Sequence, residues 1–165
     1  MPNLDPATTP RLGLAGAHQY SNAALAIALV REYMAIHPPS DASSAQTAIQ
    51  AGLEATTWPG RCQIAVTETR PHVKWYLDGA HTIESLTACA TWFVDASRST
   101  SKRKRVLIFN CTSDRTGATL LAGLYDRLLA GEVAFDRVIF TTNTTYRDGA
   151  SKGGAFLLSL LADFT

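Results

Sequence analysis

The second half of the chain alternates short apolar runs with helical patterns. Residues 73–77 (VKWYL), 106–109 (VLIF) and 138–140 (VIF) predict three strands. Residues 83–97 and 118–130 predict the helices between them, since their apolar side chains recur every three or four positions. Connections of this length imply parallel pairing, so the pattern predicts an α/β fold with a doubly wound, mostly parallel sheet. The apolar positions of the two helices are Leu86, Cys89, Ala90, Phe93 and Val94, then Leu121, Leu124 and Leu128.

The first part of the sequence does not alternate between strands and helices in the same way. Residues 22–36 predict a helix that begins at a Ser21 or Asn22 cap, ends before two prolines and is apolar on most faces, so we expect it to be buried. Small polar residues at 40–44 predict a linker, followed by a short helix at 45–52. A strand is expected at 62–69, after a turn at 58–61 (WPGR).

Composition narrows the class of protein. The chain has 165 residues, of which 46% are hydrophobic and 18% charged, with a net charge of +1. These values favour a packed domain and give no global field for nucleic acid or acidic membranes. The three cysteines are far apart in sequence, which favours reduced thiols. With no apolar run near the 20 residues that span a bilayer, we expect a soluble cytoplasmic protein without a membrane or nucleic-acid partner.

Polar residues follow the predicted strands, where parallel sheets bind ligands. Asp78 and His81 follow the strand at 73–77, and the pair Asp114-Arg115 follows the strand at 106–109. Asp78 could bind a hydroxyl or a cation, and His81 an anion above the helix N-terminus. Both could equally cap that helix, with Thr82 as its N-cap. Asp114-Arg115 is most simply an ion pair within its loop.

Other polar residues keep two interpretations each. Arg61 offers a fork of donors that suits phosphate, or is a solvated surface residue. His18, Gln19 and Asn22 cluster before the first helix, where Asn22 could cap it or contribute to a site. The basic run at 102–105 (KRKR) is expected to be a solvated loop. The sequence holds no G-x-x-x-x-G-K-[ST] phosphate loop.

Several motifs in register resemble one family. Residues 14–19 (LAGAHQ), 58–63 (WPGRCQ) and 76–82 (YLDGAHT), together with Asn110 and the pair Asp114-Arg115, resemble folylpolyglutamate synthase of eukaryotic, fungal type. The resemblance covers about residues 12–145. Members of this family of muramyl-type ligases use ATP to phosphorylate the γ-carboxylate of a folate polyglutamate. The amine of L-glutamate then displaces the phosphate to form an amide.

The resemblance implies roles for individual residues. Arg61 and Asp78 would be ATP contacts of the family's second domain, and His81 would be a catalytic residue near the reacting phosphate or glutamate. His18, Gln19 and Asn22 would lie on the nucleotide side of the cleft. ATP and Mg²⁺ are the implied cofactors, with the magnesium ligands and phosphate loop in an amino-terminal domain that we expect to be missing.

The resemblance also implies a domain plan. Residues 1–39 would be the end of the amino-terminal ATPase domain, 40–52 a linker with a short helix, and 53–165 a truncated, Rossmann-like carboxyl-terminal domain. We expect such a chain to be inactive alone and to have a cytoplasmic or mitochondrial location. The alternatives are a non-catalytic nucleotide-binding or partner-docking remnant and, less well supported by ligands, a metal-dependent hydrolase built on Asp78 and His81.

Overall fold

The computed structural model describes residues 9–100, 103–111 and 117–141. The chain divides into two compact units, Met1–Gly79 and Ala80–Thr165, which are treated separately below as unit 1 and unit 2. The domain plan with a linker at 40–52 stays a prediction. The spacing of Phe156, Leu160 and Phe164 predicts a short terminal helix, and polar loops are predicted after the strands at 106–109 and 138–140. Residues 112–116 and 142–165, which contain these segments, lie outside the described residues.

Unit 1 begins with two helices, α1 (Gln19–Ile36) and α2 (Ala42–Ala55). Both are longer than predicted. α1 begins three residues earlier than expected, with His18 at its N-cap position and no side-chain cap, so Asn22 lies inside the helix and the predicted Ser21 or Asn22 cap is wrong. α2 starts within the predicted linker and continues through Gly52, because a single glycine lowers helix stability without ending the helix.

The prediction that α1 is buried is also wrong within this chain. Gln19 and Ala23 are its buried residues, whereas the exposed fraction reaches 63% at both Leu25 and Leu29. Four of the exposed apolar side chains are spaced by four, four and three residues, so they form one stripe, which we call the α1 stripe. It consists of Leu25, Leu29, Tyr33 and Ile36.

The strands of unit 1 form a hairpin. β1 (Gln63–Thr67) and β2 (Arg70–Leu77) pair antiparallel, with an irregularity in register between Ala65 and Thr67. Only Glu68 and Thr69 connect them. A two-residue connection can join antiparallel strands, whereas a parallel pair needs a long crossover. The prediction of parallel pairing is therefore wrong for residues 73–77, which pair with the strand before them.

Unit 2 contains the predicted alternation of helices and strands. Its elements are α3 (Ile83–Ser97), a 3₁₀ turn (Arg98–Thr100), β3 (Val106–Phe109), α4 (Gly117–Ala130) and β4 (Arg137–Phe140). β3 and β4 pair parallel, as expected for strands joined through a helix. Together with the helices they form a partial α/β domain, which confirms the predicted fold class.

The core of unit 2 lies between its two helices and one face of the sheet. The predicted stripes of α3 and α4 supply most of it, and each fully buried Leu contributes about 1.5–3 kcal/mol. The sequence at 106–109 is apolar throughout, which predicts a strand covered on both faces. The opposite face of β3 is nevertheless exposed, including Ile108 at 53%. The buried core residues are Leu86, Ala90, Val94, Phe109, Leu120, Leu121, Leu124, Leu128 and Val133.

Candidate functional site

Three segments of unit 1 meet around one turn. These are the loop that leads into α1, the turn at 58–62 and the end of β2. A Cβ built on Gly16 would lie 3.1 Å from Nδ1 of His18 and 3.2 Å from Sγ of Cys62. The start of α1 therefore lies directly against the turn, and Cys62 connects it to the end of β2 through the bond described next.

Two hydrogen bonds hold the turn to β2, and we call this pair the clasp. The backbone N–H of Cys62 donates to Oδ2 of Asp78 at 2.7 Å. The N–H of Gly79 donates to the carbonyl oxygen of Gly60 at 2.8 Å. The first bond is charge-assisted, and such bonds are roughly twice as strong as neutral ones. The clasp fixes the backbone on both sides of Arg61.

The turn itself has an unusual backbone. Gly60 and Cys62 have φ angles of 72° and 45°, in the left-handed region. Glycine adopts this region freely, but for Cys62 it costs about 1–2 kcal/mol. Cys62 is only 3% exposed, so its N–H cannot rely on water, and the carboxylate of Asp78 offsets the strain by accepting it.

The guanidinium of Arg61 is held close to the end of β2. It lies against the backbone of Gly79, so closely that a Cβ at this position would overlap Nη1 of Arg61. The Arg61 side chain is exposed, and Asp78 is partly buried. The arrangement thus presents an exposed cation on a fixed turn, against the residue that follows the carboxylate of Asp78 in sequence.

A polar network surrounds the start of α1. Gln19 is only 6% exposed, and its amide oxygen accepts a bond of 2.9 Å from Nδ2 of Asn22. Its amide nitrogen lies 3.0 Å from Nε2 of His18. This side-chain contact joins the imidazole of His18 to the amide of Gln19. Asn22 therefore orients Gln19, and Gln19 orients His18.

His81 belongs to unit 2, at the beginning of α3. Its side chain is exposed, and its backbone N–H donates to Oγ of Ser85 at 3.1 Å. Thr82 is the N-cap, as predicted: its Oγ1 accepts the N–H of Ser85 at 3.2 Å, and the Ser85 hydroxyl accepts the N–H of Thr82 at 3.0 Å. The cap of α3 is thus formed by the side chains of Thr82 and Ser85.

Glu84 adds a negative charge to the same helix end. Hydrogen bonding from its backbone N–H, and then from the Thr82 side chain, holds the pKa of Glu84 below its ordinary value of 4.5. A carboxylate in the first turn also interacts favourably with the helix dipole. An anion that approached this end of α3 would therefore meet the charge of Glu84.

The structure brings most of the predicted site residues of unit 1 together and adds others that sequence reasoning missed. His18, Gln19 and Asn22 form one network, and Arg61 and Asp78 occupy the clasped turn beside it. Gly16, Gly79 and Cys62 were missed as parts of the site. The glycines inside the motifs were a signal for close backbone approach. Asp114-Arg115 lies outside the described residues.

The described residues contain neither a group of side chains that could bind a metal ion nor a helix that could span a membrane. Within residues 9–100, 103–111 and 117–141, no group of three His, Cys, Asp or Glu side chains could hold a metal ion. Among the helices of those same ranges, none has the length and apolar character needed to cross a membrane. The metal-dependent hydrolase interpretation therefore gains no third ligand from the part of the chain that is described.

Two known proteins similar to this chain carry the same name. The chain is 42% identical over 158 residues to folylpolyglutamate synthase of Saccharomyces cerevisiae strain FostersO, which covers 91% of this chain and 28% of that protein. It is 44% identical over 148 residues to the enzyme of strain AWRI796, covering 85% of this chain and 26% of that protein. The resemblance found in the sequence is thereby confirmed, and the chain spans about a quarter of the length of these relatives.

A solved structure gives a more distant match. It is a single-site mutant of FPGS of L. casei, with 18% identity and a TM-score of 0.47, covering 79% of this chain and 35% of that one. No family model matches the sequence.

Proposed function

We propose that this chain, which is similar to folylpolyglutamate synthases over most of its length, supplies ATP contacts for the polyglutamylation of folate. The reaction is the addition of L-glutamate to the γ-carboxylate of a folate polyglutamate through an acyl phosphate. The observation that carries the proposal is the clasped turn. It places Arg61 against Gly79 and bonds Cys62 to Asp78, and all four residues belong to the motifs that resemble the family.

The clasped turn fits a nucleotide chemically. Arg61 presents a planar guanidinium, whose forked donors match phosphate oxygens, on a backbone fixed by two hydrogen bonds. Asp78 can accept from a sugar hydroxyl while its Oδ2 holds Cys62. A turn whose backbone is already fixed loses less entropy when its arginine binds an anion than a flexible loop would. Arg61 would therefore bind and orient a phosphate, and Asp78 would orient the sugar.

The remaining candidate residues have supporting roles in the proposal. His18, oriented by Gln19 and Asn22, would form the nucleotide side of the cleft next to Cys62. His81, whose side chain is exposed at the start of α3, would contact the transferred phosphate or glutamate. Mg²⁺ would neutralise phosphate charge when bound, and its ligands would come from polypeptide that the relatives have and this chain does not include.

The α1 stripe supports dependence on that additional polypeptide. Contiguous exposed apolar surface is typical of an interaction site, and Leu25 and Leu29 are each 63% exposed. We propose that the stripe packs against the amino-terminal ATPase portion of a folylpolyglutamate synthase. Phosphoryl transfer relies on the charge stabilisation that phosphate-loop donors and Mg²⁺ provide. The chain alone is therefore expected to be inactive, in a cytoplasmic or mitochondrial setting.

Complementation tests the proposal. The chain is mixed with S. cerevisiae folylpolyglutamate synthase from which the segment it matches has been removed, and ADP release is measured with folate polyglutamate and L-glutamate. We expect no ADP from either part alone and ADP dependent on both substrates from the mixture. Asp78→Ala should abolish the gain. A mixture that stays inactive would favour the alternative of a non-catalytic remnant, and activity of the chain alone would contradict its dependence on a partner.

Two further variants separate docking from nucleotide contact. The double change Leu25→Asp and Leu29→Asp should raise the concentration of chain needed for complementation, because it charges the α1 stripe. Leu129→Asp is the matched control: Leu129 is 60% exposed on α4 and lies outside the stripe, so this change should leave complementation unaltered.

A further inference from the structure

Gly79 is not required by a left-handed backbone. The glycines with left-handed φ angles in the described chain are Gly16 and Gly60, and Gly79 is not among them. An alanine at position 79 would therefore not incur the strain of the left-handed region. The reason for a glycine at this position must therefore be sought in the space that its missing side chain leaves.

That space contains the guanidinium of Arg61. A Cβ on Gly79 would overlap Nη1 of Arg61, while it would lie 3.6 Å from both Cζ of Arg61 and the carbonyl oxygen of Gly60, which is ordinary contact. One atom of one side chain thus accounts for the conflict. The backbone near the turn would accept a methyl group, but the guanidinium in its present position would not.

The clasp prevents the conflict from being relieved by a backbone shift. Gly79 itself donates to Gly60 at 2.8 Å, and its neighbour Asp78 accepts from Cys62 at 2.7 Å. The backbone of the turn and the end of β2 are therefore fixed on both sides of Arg61. With the backbone held, a side chain at position 79 can be accommodated only if the Arg61 side chain rotates away.

We propose that Gly79 is a positioning residue for Arg61: its lack of a side chain keeps open the place where the guanidinium lies to bind a phosphate. This inference rests on the proposed function for the role of the phosphate, but its structural part does not. Because the displaced atom is the end of a flexible, exposed side chain, the change should cost little stability. Gly79→Ala therefore separates the position of Arg61 from the folding of the turn.

The experiment uses the full chain labelled with ¹⁵N-arginine. The Nε–Hε resonance of Arg61 is assigned by its loss in Arg61→Lys, and ATP affinity is measured by titration. We expect Gly79→Ala to move the Arg61 resonance without ligand, to leave the melting temperature unchanged and to weaken ATP binding about tenfold, the typical effect of one displaced charge-assisted contact. In an Arg61→Ala background, Gly79→Ala should weaken ATP binding no further.

A second glycine serves as the control. Gly52 lies within α2, and a Cβ built there would meet no atom within 4 Å. Gly52→Ala should leave both the Arg61 resonance and ATP affinity unchanged. An unmoved Arg61 resonance in Gly79→Ala, or an equal loss of ATP affinity in the Arg61→Ala background, would overturn the inference. If the unaltered chain binds no ATP, the proposed ATP contact fails, and the ligand-free resonance alone decides the role of Gly79.

Discussion

The charged half of the clasp is expected to hold the turn closed. Asp78→Ala removes the acceptor of the Cys62 N–H, which belongs to a residue that is 3% exposed and has a left-handed φ of 45°. Leaving a buried donor without its partner costs about 1–3 kcal/mol. Since a factor of ten corresponds to about 1.4 kcal/mol, the turn should open about tenfold to a hundredfold more often.

Labelling of the Cys62 thiol measures that opening. The chain carries Cys89→Ala and Cys111→Ala, so that Cys62 is the thiol that reacts with a maleimide. Asp78→Ala should accelerate labelling about tenfold to a hundredfold, and Asp78→Asn by less, since its amide oxygen still accepts as a neutral group. The opening is local, so it does not require unfolding of the chain.

An exposed aspartate provides the control for this prediction. Asp95 pairs with Arg98 at 3.2 Å, but their side chains are 63% and 76% exposed, and surface pairs of this kind contribute about 0–1 kcal/mol. Asp95→Ala should leave the labelling of Cys62 unchanged. Equal labelling rates in Asp78→Ala and in the unaltered chain would refute the reasoning, because they would show that the bond does not hold the turn.

Two further changes test unit 2. Gly131→Ala should lower the free energy of unfolding by about 1–3 kcal/mol, measured by urea denaturation, because the added Cβ would crowd the Cγ atoms of buried Val94. Glu84→Gln should reduce stability above pH 4.5 and lose its effect as the pH falls through the lowered pKa of Glu84, since a depressed carboxyl pKa stabilises the fold only while the group is ionised. Melting temperatures of both proteins are compared at pH 7 and at a series of lower pH values, and a difference of the same size at every pH would contradict the assignment.

Local patterns made unit 2 predictable. The 3.6-residue stripe of α3 and the Thr82 cap are both contained in the sequence of the helix itself, and the structure confirms them. The strand at 106–109 and the parallel pairing with the strand at 138–140 follow from a helical crossover. Each of these features depends on residues that are close in sequence or on a general rule of chain connection.

Two of the predictions that failed concern the burial of α1 and the strand with which residues 73–77 pair. The apolar residues of α1 correctly predicted a helix. Their apolar character shows that Leu25 and Leu29 favour burial, but it does not show that other residues of this chain pack against them. The hairpin was missed because residues 73–77 were assigned to the helical crossover that follows and not to the two-residue turn before β2.

The candidate site was predictable as a set of residues but not as an arrangement. Arg61 and Asp78 stand in recognisable motifs, whereas the bond from Cys62 to Asp78 joins positions 16 residues apart and depends on the hairpin. The motif resemblance therefore named the residues that could bind a nucleotide. Only the tertiary structure shows that the clasp joins these residues and that the guanidinium of Arg61 lies where a side chain at position 79 would be.

The role of Arg61 as an ATP contact is tested most directly by the KM for ATP in the complemented mixture. Arg61→Ala should raise the KM for ATP about tenfold or more while the KM for L-glutamate stays within about twofold, since the guanidinium would bind a phosphate of the nucleotide. Arg70→Ala, which removes an exposed arginine at the start of β2, should change neither value. A KM for ATP that is the same with Arg61→Ala as with Arg70→Ala would contradict the role of the clasped turn in nucleotide binding.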